Sequence, residues 1–225
     1  MASALFAIFS LILLSGVSAK EPRPCCWISQ MTGQAELQGT KKLEDGSVIL
    51  EESELQWAYD ATFQAEAFIF DEILENSTVI KGRIVNFYDQ GLSFYIIDNQ
   101  GVERCAKIRI PARFPKKCIP EHAEYYGNRT LGNDSLVAHE WKLNTVAGGD
   151  VVNVSFLIQD EYCVPISFGV VSQEPRVRTI AYGDIELGIC DREKFFRIPD
   201  ECRQVNDGTP KGHMYQQIMQ TAFNM

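Results

Sequence analysis

Residues 136–159, LVAHEWKLNTVAGGDVVNVSFLIQ, decide the fold class. Val137, His139, Trp141 and Leu143 alternate with Leu136, Ala138, Glu140 and Lys142, which is the two-residue period of a strand. Ala147-Gly148-Gly149-Asp150 reads as a turn, and the return run places Val152, Val154, Phe156 and Ile158 on one face. Asn153, Ser155 and Gln159 fall on the other. Asn153-Val154-Ser155 is a glycosylation sequon, and a glycan is carried only on a face that meets solvent, so pattern and motif agree on a hairpin with one wet side.

Outward from this hairpin the same period recurs. Residues 90–110, QGLSFYIIDNQGVERCAKIRI, hold turn residues Asp98, Asn99, Gln100 and Gly101 between two β-rich runs. TVIKGRIVNFY (78–88), CVPISFGVV (163–171) and RVRTIAYGDIELG (176–188) read as further strands. FQAEAFIFDEIL (63–74) fits either period, and its aromatic content within a meander favours a strand. Helical spacing is clearest at the end, where Tyr215, Ile218, Met219 and Ala222 fall at i, i+3, i+4 and i+7 after the breaker NDGTPKG. Many strands with few short helices predict a mainly β, antiparallel domain, and an extended sheet with one apolar face must cover it with another layer, another subunit or a ligand.

The ends and the composition set the compartment. An apolar run over residues 5–14 leads to Val17-Ser18-Ala19, which fits a signal peptide, residues 1–19, cleaved after Ala19; the run is shorter than the ~20 residues a membrane span needs. The expected layout is therefore a signal peptide, a β domain over 20–203 and a tail over 204–225 with a short amphipathic helix. Seven cysteines outside the cytosol imply disulfides, three bridges and one leftover thiol. No C-x-x-C or Cys/His spacing suggests zinc. Sequons at Asn76, Asn128, Asn133 and Asn153 suggest a secreted, extracellular glycoprotein.

Other functions are weighed against this background. The formal charge of −9, with no Lys/Arg run longer than two, leaves no footprint for nucleic acid. No nucleophile elbow, zinc-protease, P-loop or dinucleotide motif occurs. His139 alternates with apolar Val137 and Trp141 and reads as packed or hydrogen-bonded rather than catalytic, while His122 and His213 lie in loop and tail. Glu44, Asp45, Glu51, Glu52 and Glu54 form an acidic cluster without calcium-loop spacing, so it reads as a solvated face with weak calcium association as the alternative. No enzyme is expected. The strand-borne aromatics Phe68, Phe70, Phe87, Phe94, Trp141 and Phe156 are the candidate lining of a ligand pocket, against plain core packing.

Pro22-Arg23-Pro24-Cys25, the hairpin ending at Cys105, CVPI from Cys163, and IELGICDREKFFRIPDEC closing at Cys202 together resemble the ependymin-related proteins over residues 22–202. The resemblance implies a secreted, disulfide-stapled sheet curved into a half-barrel like bacterial lipoprotein carriers. It further implies a homodimer with an apolar pocket for fatty acyl chains, calcium binding, extracellular-matrix or cell-matrix adhesion roles, and no catalytic activity. By position it implies Cys25–Cys163 and Cys105–Cys202, and a further bridge of the family to the C-terminal region has no counterpart here. Cys26, Cys118 and Cys190 remain. One arrangement pairs Cys26 with Cys118 and leaves Cys190 as a small buried apolar residue; the other pairs Cys118 with Cys190 and leaves Cys26 free. Neighbours in an extended segment point to opposite sides, so the Cys25-Cys26 doublet can anchor the N-terminus in two places.

Overall fold

A computed structural model describes residues 21–42, 46–73, 79–99, 101–133, 135–147, 150–159, 162–172 and 177–204. The signal segment, the tail helix, Asn76, Glu44 and Asp45 lie outside the described residues. Eleven strands run β1 (Gln30–Lys42), β2 (Val48–Asp60), β3 (Ala65–Ile73), β4 (Val79–Phe87), β5 (Leu92–Asn99), β6 (Val102–Arg109), β7 (Glu124–Leu131), β8 (Leu136–Ala147), β9 (Asp150–Gln159), β10 (Val164–Ser172) and β11 (Val177–Leu187). Among the described residues two short helices follow, α1 (Arg192–Phe196) and α2 (Asp200–Arg203).

All eleven strands belong to one antiparallel sheet in the order β6-β5-β4-β3-β2-β1-β11-β10-β9-β8-β7. Two meanders, β1 to β6 and β7 to β11, are joined by the central β1·β11 pair. The ambiguous run at 63–74 is strand β3 from Ala65 onward. Its period is blurred because β3 is buried on both faces: Phe70 packs with Trp57 and Tyr95 on one side, Ala67 with Val85 and Phe195 on the other. The 136–159 hairpin pairs Trp141 with Phe156 and Asn144 with Asn153, the faces its alternation predicts. In the β5–β6 turn the Asp98 carboxylate accepts from the Gly101 N–H at 2.7 Å.

The sheet is curved, and its topology demands it. β6 and β7 are opposite edges, yet residues 110–123 connect them. Eleven flat strands would put those edges about 48 Å apart, which fourteen residues reach only when fully taut. Instead the link bonds mid-course to the N-terminal segment, with Trp27 N–H donating to Lys117 O at 2.8 Å and Ile119 N–H to Cys25 O at 2.9 Å. The crossover therefore passes through the concave side, and the result is an open half-barrel.

Cys25–Cys163, Cys26–Cys118 and Cys105–Cys202 are the three disulfides of the described residues. Cys190 carries a free thiol and is exposed, which corrects its expected place as a buried apolar residue. It precedes the α1 N-cap Asp191, where the chain leaves the sheet and no described residue buries it.

Candidate functional site

Alternation sends successive side chains to opposite faces, so the strand register assigns each residue to the concave or the convex side. The concave face carries the main core of Met31, Ala35, Leu55, Trp57, Tyr59, Phe70, Ile84, Tyr95, Phe168 and Ile180. Large rings fit here because neighbouring strands leave gaps. A Cβ at Gly82 would sit 2.2 Å from the Phe70 ring, and one at Gly33 would sit 3.2 Å from Trp57 Nε1. Both glycines are small because an aromatic side chain from the adjacent strand lies across them.

One end of the concave face is plugged. Trp27 packs its ring 5.9, 5.7 and 5.6 Å from Trp57, Tyr59 and Tyr182. Phe114 of the crossover packs 5.2 Å from Tyr59 and 5.5 Å from Tyr88. Beneath it lies a buried ion pair, Lys117 Nζ to Glu66 Oε1 at 3.3 Å, with side chains 7% and 4% exposed. The Tyr88 hydroxyl donates to the other Glu66 oxygen at 2.6 Å. Burial, then the Glu66 charge, push the Tyr88 phenol well above its ordinary range, so it stays protonated and donating. Burial also pushes Tyr59 up to about 12. The two adjacent cysteines anchor this plug, Cys25 to the start of β10 and Cys26 to the crossover.

Beyond the plug the concave wall is different. Leu37, Phe68, Ile97, Val154, Phe156 and Val170 are half-buried apolar side chains packed against the core. They form an apolar surface that keeps part of its area open.

Of the six aromatics expected to line one pocket, four share this face. Phe68 is half-buried; Phe70 is buried and stacked on Tyr95 at 6.2 Å; Phe156 packs on Phe168 at 5.3 Å; and Trp141 is buried against Tyr125 at 5.3 Å. Phe87 and Phe94 do not. They lie on the convex face, clustered with Val85 and Ile96 under Phe195 and Ile198 of the α1–α2 segment. Their strands are apolar on both faces because helices cover the outside, and composition alone could not separate the two sides.

Those helices are clasped to the sheet by charge. Asp60, fully buried, accepts from the Thr62 and Phe63 N–H groups at 3.0 Å each, from Gln30 Nε2 at 3.1 Å and from Arg192. Burial would raise its pKa, but the Arg192 guanidinium and the Phe63 and Gln30 donors outweigh it and hold the carboxyl below the ordinary aspartate range. A depressed native pKa stabilises the fold above the unfolded-state value and is lost as pH falls through the native one. Asp60→Asn is therefore expected to be less stable than the parent at neutral pH, with the gap closing below about pH 4; a gap constant from pH 7 to pH 3 in denaturation midpoints would contradict it.

The remaining candidates are placed as follows. Asn128, Asn133 and Asn153 are exposed. His139 Nδ1 lies 2.7 Å from the Asn128 side-chain oxygen, which also accepts from the Tyr125 hydroxyl. Glu52 and Glu54 point to the convex, exposed face of β2, and among the described residues no three metal-ligating side chains gather. No described helix is long and apolar enough to cross a membrane. A shallow convex groove of about 400 Å³ is lined by Arg129, Glu140, Ser155, Leu157 and Ser167 among others. Lys117, Glu66, Tyr88 and Phe114, which close the concave face, carry no sequence motif; the lysine's place beside Cys118 is the one hint.

Compared with known proteins, the ependymin family model matches residues 76–202. The development-specific protein LVN1.2 of Lytechinus variegatus is 26% identical over 159 residues, 64% of this chain and 83% of its own length. Among solved structures, an outer membrane lipoprotein-sorting protein domain from Vibrio parahaemolyticus is 6% identical with a TM-score of 0.34, over 74% of this chain and 88% of its own. The MucA/MucB complex of Pseudomonas aeruginosa gives 11% identity and a TM-score of 0.35, over 81% of this chain and 62% of its own.

Proposed function

The chain belongs to the ependymin family, and from that premise we propose that it is a secreted, non-enzymatic glycoprotein, with its working domain over residues 20–203, that holds a lipid or other apolar ligand against its concave face. One observation carries the reading. A single sheet leaves Leu37, Phe68, Ile97, Val154, Phe156 and Val170 half-buried on its concave wall, while the N-terminal strap and the crossover fill one end of it. An acyl chain laid along that wall removes apolar area from water at roughly 25 cal/mol per Å². The disulfides fit an oxidising compartment.

The experiment is organic extraction and mass spectrometry of purified secreted protein, followed by titration with a fluorescent fatty-acyl probe. Val170→Arg, which places a charge on the wall opposite Val154, is expected to weaken probe binding at least about tenfold. No extractable lipid together with no probe uptake would end the carrier reading.

A calcium-binding, matrix or adhesion role is the second reading, and one feature of β1–β2 favours it. Glu36 and Glu54 are directly opposed on the exposed face, where like charges repel. A divalent cation would relieve that repulsion. Millimolar calcium should then raise the melting temperature, and indifference to calcium and chelator counts against it. Whether two copies associate is settled by sedimentation of the same sample.

A further inference from the structure

The convex face is covered unevenly. Over β3 to β5 the α1–α2 segment buries Ala67, Val85 and Ile96. Over the central strands the same face carries exposed apolar side chains instead: Val171 is 46%, Val177 43% and Leu50 65% exposed. Singly such residues are ordinary, but these three are in register. Val171 is directly opposite Val177, the Val177 N–H donates to Thr40 Oγ1 at 3.1 Å, and Thr40 is directly opposite Leu50. At the other end of the row, directly opposite Val171, stands Asn153.

Opposed residues of an antiparallel pair share a face with Cβ atoms about 4.5–5.5 Å apart. Val154 and Val170, the alternate positions, pack against the concave core, which places Asn153 and Val171 together on the convex side. Asn153 is exposed and heads the sequon Asn153-Val154-Ser155. Its first sugar is N-acetylglucosamine, whose acetyl methyl and ring C–H face are apolar while its hydroxyls face water. A glycan leaving Asn153 has two directly opposed cross-strand neighbours, polar Asn144 on β8 and apolar Val171 on β10, with Val177 next beyond Val171.

We propose that the N-glycan of Asn153 lies along this row and covers Val171 and Val177, serving as an outer layer that no described residue supplies over this part of the sheet. The inference rests on the reading of the chain as a secreted glycoprotein. It gives one sequon a structural role that the exposed sequons at the β7 edge, Asn128 and Asn133, do not share.

The test uses the full chain secreted from eukaryotic cells, with occupancy of Asn153 read by peptide mass spectrometry. Ser155→Ala abolishes the sequon and leaves Asn153 in place; a peptide N-glycosidase strips the glycans from the folded protein without a substitution, leaving aspartate at each occupied sequon. Both are expected to lower the melting temperature by about 2–4 °C and to raise binding of a hydrophobic dye. In the Val171→Thr/Val177→Thr background the same treatments should change neither, and Thr130→Ala, which removes the Asn128 sequon, should leave the parent unchanged. An unoccupied Asn153 overturns this inference together with the glycoprotein reading at that site. An occupied Asn153 whose loss moves neither temperature nor dye binding, or moves them equally in the threonine background, overturns this inference alone.

Discussion

Lys117→Met is expected to remove about 3–5 kcal/mol of folding stability, the cost typical of leaving one half of a buried ion pair without its partner. Lys117 and Glu66 are both nearly inaccessible, and their 3.3 Å contact ties the crossover to the floor of the concave face. Without the ammonium, the Glu66 carboxylate keeps only the Tyr88 hydroxyl as a named partner, in a site walled by Phe114, Tyr59 and Tyr88. Burial first, and the Glu66 charge with it, hold the three tyrosines nearby, Tyr59, Tyr88 and Tyr182, in their neutral protonated form, so none of them supplies a charge to the site. Methionine keeps the aliphatic stem and so isolates charge from packing. Lys117→Met/Glu66→Gln should recover a substantial part of the loss, since no bare charge then remains buried. Urea denaturation of the four proteins of the cycle measures it. Additive single losses, with no recovery in the double variant, would mean that the two side chains act as filler rather than as a pair.

What sequence reasoning reached, and what it missed, follows from how the sheet distributes its signals. The 136–159 hairpin is legible because one of its faces is wet, so alternation survives: Trp141 and Ile158 in, Asn144 and Asn153 out. β1 is far less legible although it sits at the centre of the sheet, paired with both β2 and β11. It carries Gly33, Gln34, Gln38 and Gly39, and its core contribution at Gly33 is the absence of a side chain beneath Trp57 of the next strand. Half of that signal lies on β1 and half on β2, and only the register brings them together. The same division places Phe70 over Gly82. Parity within β4 and β5 does separate Phe87 and Phe94 from Ile84 and Tyr95, but with apolar residues on both faces it cannot tell which parity is concave. The buried pair is least legible of all, because Lys117 sits in an irregular connection and nothing local connects it to Glu66 on β3.

Removing the Cys26–Cys118 bridge by a double alanine substitution is the second large loss expected, about 3–4 kcal/mol, and the adjacency of Cys25 and Cys26 is what sets its size. Taken alone, the bridge spans a sequence separation of 92 residues, for which chain entropy predicts about 4.6 kcal/mol. With Cys25–Cys163 intact the shorter path from Cys118 runs forward to Cys163 and back through the doublet, a loop of about 45 residues, which trims the chain-entropy figure to about 4 kcal/mol. The doublet therefore makes the two bridges partly redundant in the unfolded chain while giving them separate work in the folded one. Cys25 ties the strap to the β10 side of the sheet and Cys26 ties it to the crossover. Trp27, the next residue, reports on that work because its ring touches Trp57, Tyr59 and Tyr182. If the strap stays seated, the variant keeps its native tryptophan emission and loses only its denaturation midpoint. If the strap lifts locally, emission shifts to the red in native buffer before any global transition, and access to the plugged end of the concave face rises with it. A variant with unchanged midpoint and unchanged emission would show that the two backbone hydrogen bonds at Cys25 and Trp27 and the Lys117–Glu66 pair hold the strap without the sulfur link.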